Sequence, residues 1–160
     1  MVNALLGTFY MLKFICCAFL IFGFQLSYSQ NLSVFRTEKS VDETVAKILE
    51  IIDSKEELIF FEVVSHDGIA KERGLELPPT RSILFEDPTL TTTLINCQQT
   101  AALDLPLEII VWEEFGDVYL GFMDPKFMKR RFMINECDET IQALGDLMIR
   151  VTMDAIRELK

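Results

Sequence analysis

His66 is the only histidine in the 160-residue chain, and it stands in the stretch Ser65-His66-Asp67-Gly68-Ile69-Ala70. A neutral imidazole can accept a proton, bind a metal or donate one structural hydrogen bond. A carboxylate beside it would fix its tautomer and complete a general acid–base pair. The candidate carboxylate is Glu113, which follows Trp112 at the end of the apolar run Leu107 to Val111. His66, Glu113 and Trp112 are therefore the candidate ligand-binding residues, and His66 and Glu113 the candidate catalytic ones. A purely structural reading stands beside this one. Ser65 can cap a short helix that Gly74 ends in a left-handed conformation, with Leu75 folding back over Ile69 and Ala70. His66 then makes one local hydrogen bond, and Glu113 and Glu114 are solvated residues beside a turn.

Other chemistries find less support. One histidine, separated cysteines and scattered acids give no zinc-type ligand spacing, so no metal is expected. There is no Gly-x-Ser-x-Gly elbow, no phosphate loop and no dinucleotide fingerprint, so no cofactor is expected. Asp104 and Asp124, each near a proline, read as turn, cap or helix-start residues. Lys126, Lys129, Arg130 and Arg131 form the one basic cluster. It reads first as a solvated helix face and second as a hold on an anionic ligand or partner. The net charge of −10 speaks against nucleic acid, whose phosphates need a basic face, and against an anionic membrane surface.

These residues need a scaffold, and its start is set by the leader. Lys13, the apolar run Phe14 to Phe24, and Ser27-Tyr28-Ser29 have the order of a secretory signal, with cleavage after Ser29. The apolar run is about half of the ~20 residues a spanning helix needs, so no stable membrane insertion is expected after cleavage. Met11 directly precedes this unit, so residues 1–10 read as an upstream-start extension. The expected product is an exported, periplasmic or extracellular domain over residues 30–160. It keeps two cysteines, Cys97 and Cys137. Export permits a disulfide between them. An apolar core that needs no staple favours two small buried thiols instead.

The mature chain reads as one α+β domain. Residues 31–38 read as an edge strand. Ser40-Val41-Asp42-Glu43 is a capping box that opens a helix with Val41, Val45, Ile48 and Ile52 on one face. Residues 57–64 read as a buried strand, and 80–86 as another, closed by Asp87-Pro88 at a helix start. One or two short helical turns follow. Strands over 107–114 and 117–123 join in a hairpin at Phe115-Gly116. Asp124-Pro125 begins a short basic helix. Asp138 caps a long final helix with Ile141, Leu144, Met148, Val151 and Ala155 in one stripe. The order is strand, helix, four strands, helix: a largely antiparallel sheet with helices packed on one face. The strands at 58–64 and 107–112 are apolar on both faces. The second face therefore needs cover from the short insertions or from a second subunit, which is a reason to expect a homodimer.

Three stretches resemble the domain-of-unknown-function 302 family: Ser65 to Pro88, Leu103 to Glu114 and Tyr119 to Pro125. Matching positions are His66, Ala70, Gly74, Leu75, Leu77, Pro79, Thr80, Phe85, Pro88, Leu103 to Leu107, Trp112, Glu113, Asp124 and Pro125. Ser65 departs from the family's Asp before the histidine, and Glu86-Asp87 departs from its Gly-Asn turn. The resemblance implies a compact α+β domain, often homodimeric, with no agreed activity and no catalytic residues to carry over. The expectation is a non-catalytic module that binds a small-molecule ligand or a protein partner. One alternative is an enzyme with His66 as general acid or base oriented by Glu113. Another is a structural dimerisation unit.

Overall fold

The computed structural model describes residues 31–159. The expected leader over residues 1–29, with Met11, lies outside the described residues. The elements are β1 (Leu32–Thr37), α1 (Val41–Asp53), β2 (Ile59–Ser65), α2 (His66–Glu72), β3 (Thr80–Glu86), α3 (Pro88–Cys97), a 3-10 helix (Gln99–Asp104), β4 (Leu107–Glu114), β5 (Asp117–Met123), α4 (Pro125–Arg131) and α5 (Asp138–Glu158). The five strands form one antiparallel sheet in the order β1-β5-β4-β3-β2. The fold is the expected α+β arrangement.

Local signals place most element ends. The Ser40 side chain accepts from the Glu43 amide, and the Glu43 carboxylate accepts from the Ser40 amide at 3.0 Å, closing the capping box of α1. Asp87 accepts from the amides of Thr89 and Leu90, with Pro88 in the first turn of α3. Phe115 and Gly116 take φ values of 53° and 84°, the two left-handed positions of a tight hairpin. The final helix differs from expectation by one residue. Cys137 stands at its cap position with φ 66°, and Asp138 lies in the first turn, where its charge meets the helix dipole.

Strand alternation divides the sheet into two unlike faces. Ile83, Phe85, Ile109, Val111, Leu120 and Phe122 point to one side and are all at most 2% exposed. Against them pack Ile48 and Ile52 of α1 and Leu144, Met148 and Val151 of α5. Burying a side chain of this size contributes roughly 1.5–3 kcal/mol, so this layer holds the fold together. No helix among the described residues is long and apolar enough to cross a membrane.

The opposite face is not covered by any described element in its centre. One row runs across it from edge to edge: Val34, Gly121, Ile110, Ser82, Val64. Beside it runs a second row of Arg36, Tyr119, Trp112 and Thr80. β2 is thus an edge strand rather than the buried strand its composition suggests. Ile59, Phe60 and Phe61 are 45–51% exposed, and the register shifts between Phe60 and Glu62. A bulge of this kind disrupts the free ladder of an edge.

The two cysteines also differ from expectation. Cys97 is exposed and Cys137 half-buried, and they form a disulfide with Cα atoms 6.5 Å apart. The favoured reading as buried thiols is corrected by that exposure. The C-terminus of α3 and the start of α5 meet at the surface, where small apolar side chains gain little from burial.

Candidate functional site

His66 begins α2 directly after β2 ends. Ser65 caps this short helix by accepting from the Gly68 amide at 3.2 Å. Gly74, at φ 72°, ends it: its amide donates to Lys71, and the Leu75 amide donates to Ala70 at 2.9 Å. Both hydrogen bonds of a Schellman ending are present. Leu75 is nevertheless 65% exposed and Ile69 53%, so the expected apolar clasp over this ending stays open to solvent.

α2 is fixed to the sheet by polar contacts. The Asp67 carboxylate pairs with the Arg81 guanidinium and accepts from the Thr80 amide at 3.3 Å. Arg81 also reaches Asp42 at 3.5 Å, tying α1 to the same point. This tether holds His66 over the open face of the sheet. There its Nε2 lies 3.0 Å from the hydroxyl of Ser82, which is 3% exposed. The imidazole is the hydrogen-bond partner of that buried hydroxyl.

Glu113 is not brought to His66. Residues alternate along β4, so Trp112 shares the open face with Ser82, while Glu113 falls on the other side. Its amide donates to Pro79 at 3.0 Å, its side chain is exposed, and no carboxylate among the described residues forms an ion pair with His66. Trp112 stacks on Tyr119 with ring centroids 5.5 Å apart. The indole also covers Gly121. A Cβ there would lie 3.5 Å from the indole and only 2.6 Å from the Ser33 carbonyl oxygen, so glycine permits β1 to close against β5.

A pocket of about 440 Å³ opens at the end of this face. Its sheet wall includes Leu84, Ile110, Gly121 and Met123, and Leu103 and Pro106 overhang it from the segment before β4. Asp104 and Arg131 line it as an ion pair at 2.8 Å. The expected basic cluster is thus largely engaged within the domain: Lys129 pairs with Asp138, and Arg130 donates to Asn31. Ile110 and Gly121 belong both to the pocket and to the row that contains Ser82. The polar corner, the aromatic pair and the pocket therefore form one continuous surface.

Sequence reasoning singled out His66 and Trp112 on this surface and missed Ser82 and Tyr119 beside them, as well as the Asp67–Arg81 pair that tethers α2. Among the described residues no group of three or more histidine, cysteine or acidic side chains could hold a metal ion.

The model of the family described as domain of unknown function DUF302 matches residues 34–151. The chain belongs to this family. The chain is also similar to curated proteins. It is 34% identical over 116 residues to a protein of Brucella suis named fluoride-specific ion channel FluC 1, and equally to a protein of that name from Brucella abortus. Those matches cover 71% of this chain but only 45% and 43% of the relatives, so the chain spans less than half the length of the curated relatives it matches. Among solved structures it resembles an uncharacterised conserved DUF302 protein of Bacillus stearothermophilus, with a TM-score of 0.67 and 16% identity over 82% of this chain and 100% of that one. That likeness is one of fold.

Proposed function

We propose that this DUF302 domain is a non-catalytic, exported module that binds a small ligand on the open face of its sheet. The observation that carries the reading is the row of Val34, Gly121, Ile110, Ser82 and Val64, topped only by the Trp112 and His66 rings at Gly121 and Ser82, running into a pocket of about 440 Å³. Small-molecule sites are typically concave, apolar and of roughly 300–1,000 Å³, with a few polar groups at the rim. Asp104, Glu108 and Arg131 supply such groups in the lining, and His66 and Trp112 stand beyond it on the same face.

The geometry around Ser82 supports a binding role over a catalytic one. A histidine beside a serine is half of a nucleophile–base arrangement. Ser82, however, lies in the middle of a strand paired on both sides, by β2 and by β4. Its neighbouring amides are spent in those ladders, and its hydroxyl is buried under the imidazole. An acyl-transfer site needs free donors and room for a carbonyl beside the nucleophile. Export is supported by the Cys97–Cys137 disulfide, a bond that persists in oxidising compartments.

A second copy of the chain is the other occupant such a face could take. The charges argue against face-to-face pairing. Glu62, Glu86, Glu108, Glu114 and Asp117 share the open side by strand alternation, against Arg36 alone. The channel relatives favour a further role as an accessory module, since the matched region is the smaller part of those proteins.

Titrating the domain with a panel of small amphipathic metabolites tests the proposal, with emission of the single tryptophan, Trp112, as the signal. Saturable shifts that Leu84→Arg weakens are expected, with sedimentation giving a monomer at micromolar concentration. Absence of any saturable response, or one that Leu84→Arg leaves intact, would overturn it.

A further inference from the structure

We infer that the pocket beside Leu103 and Pro106 takes an amphiphile with a linear apolar body and a single cationic head group, an alkylammonium or alkylguanidinium. The inference deepens the ligand-binding reading and rests on it.

The pocket's size and walls set the body. About 440 Å³ lined by Leu84, Ile110 and Met123 suits a chain of several methylenes, and methionine adapts its shape to such a guest. The charges set the head. Asp104 and Arg131 also line the pocket, but they are matched to each other at 2.8 Å and together add no net charge. That leaves Glu108. It lines the pocket, is exposed, and has no ion-pair partner among the described residues. Glu62 stands two strands away in the same row, with Leu84 between them. It too has no ion-pair partner among the described residues. Two uncompensated carboxylates therefore flank an apolar floor, and a carboxylate guest would meet them as a like charge. The chain's net charge of −10 adds a long-range preference of the same sign.

The site also carries its own reporter. Gly121 lines the pocket and lies beneath the Trp112 indole. A guest lying against Gly121 changes the surroundings of that ring directly.

The test compares n-octylamine, n-octanoate and n-octanol below their self-association limits, at neutral pH and physiological salt, by Trp112 emission. Octylammonium is expected to bind at least tenfold more tightly than octanoate. Glu108→Gln should cut that preference several-fold, while Glu113→Gln, on the opposite face, should leave it unchanged. Equal or tighter binding of octanoate or octanol would overturn the cationic head group and leave the ligand-binding reading standing. Unchanged preference in Glu108→Gln would overturn it equally. Failure of octylamine to saturate at millimolar concentration would overturn this inference, whereas the reading beneath it falls only with the metabolite panel.

Discussion

The Nε2 of His66 lies 3.0 Å from the Ser82 hydroxyl, joining the first residue of a short helix to the centre of the sheet. This contact shields a side chain that would otherwise sit bare on the open face. Its strength can be read from a double-mutant cycle. His66→Ala and Ser82→Ala should each cost about 0.5–1.5 kcal/mol in urea unfolding, the ordinary net worth of one hydrogen bond. The double variant should lose less than the sum, by about 1 kcal/mol. Strict additivity would show that the contact contributes nothing to stability. Removal of His66 lets water reach Ser82, so the larger penalty of a stranded buried hydroxyl is not expected.

Two glycines should respond to alanine in opposite directions. A Cβ on Gly121 would come within 2.6 Å of the Ser33 carbonyl oxygen, a backbone atom that cannot swing aside. Gly121→Ala should therefore destabilise the domain by about 1–3 kcal/mol, as overpacking does, and shift Trp112 emission. Gly145 lies inside α5 with open space where its Cβ would stand. Gly145→Ala should stabilise by about 0.5–1 kcal/mol through helix propensity. Thermal unfolding of both variants checks the pair.

The disulfide closes a sequence separation of 40 residues. Loop-closure entropy for that length corresponds to about 4 kcal/mol. Replacing both cysteines by serine should lower stability by up to that amount. Because Cys97 is exposed, reduction should precede unfolding. Thiol labelling of the folded protein after mild reduction measures that order directly.

Acid should weaken the start of α1. The Ser40 side chain, and then the Ser40 backbone, hydrogen-bond the Glu43 carboxylate and hold its pKa below the usual value. A carboxyl depressed in the folded state contributes stability that is present above its unfolded pKa of about 4.3 and is lost as pH falls through the folded value. Glu43→Gln keeps the cap geometry but removes the titration. Below about pH 4.3 the wild type should lose stability more steeply than this variant; parallel acid slopes would contradict the assignment.

What the sequence revealed was local. The Ser40 box, Asp87-Pro88, Phe115-Gly116 and Gly74 each act within a few residues, and each stands where it was expected. Longer-range relations were not legible. The position of β2 at an edge depends on strand order, which its apolar run does not encode. Arg81 meets Asp67 only because β3 returns beside α2. Cys97 and Cys137 come together through the placement of α3 against α5. Glu113 is different, because counting alternate residues from Trp112 along β4 already puts it on the other face.

The pairing of β1 with β5 gives the domain a seam. Leu32 is joined to Met123, so the first strand finds its place only after the β4–β5 hairpin exists. Leu32 and Met123 are also walls of the pocket. A chain emerging N-terminus first would carry β1 unpaired through most of its appearance, then complete sheet and pocket in one closing step. Competence to bind thus arrives with the end of folding, so that an incomplete domain has no finished site to offer.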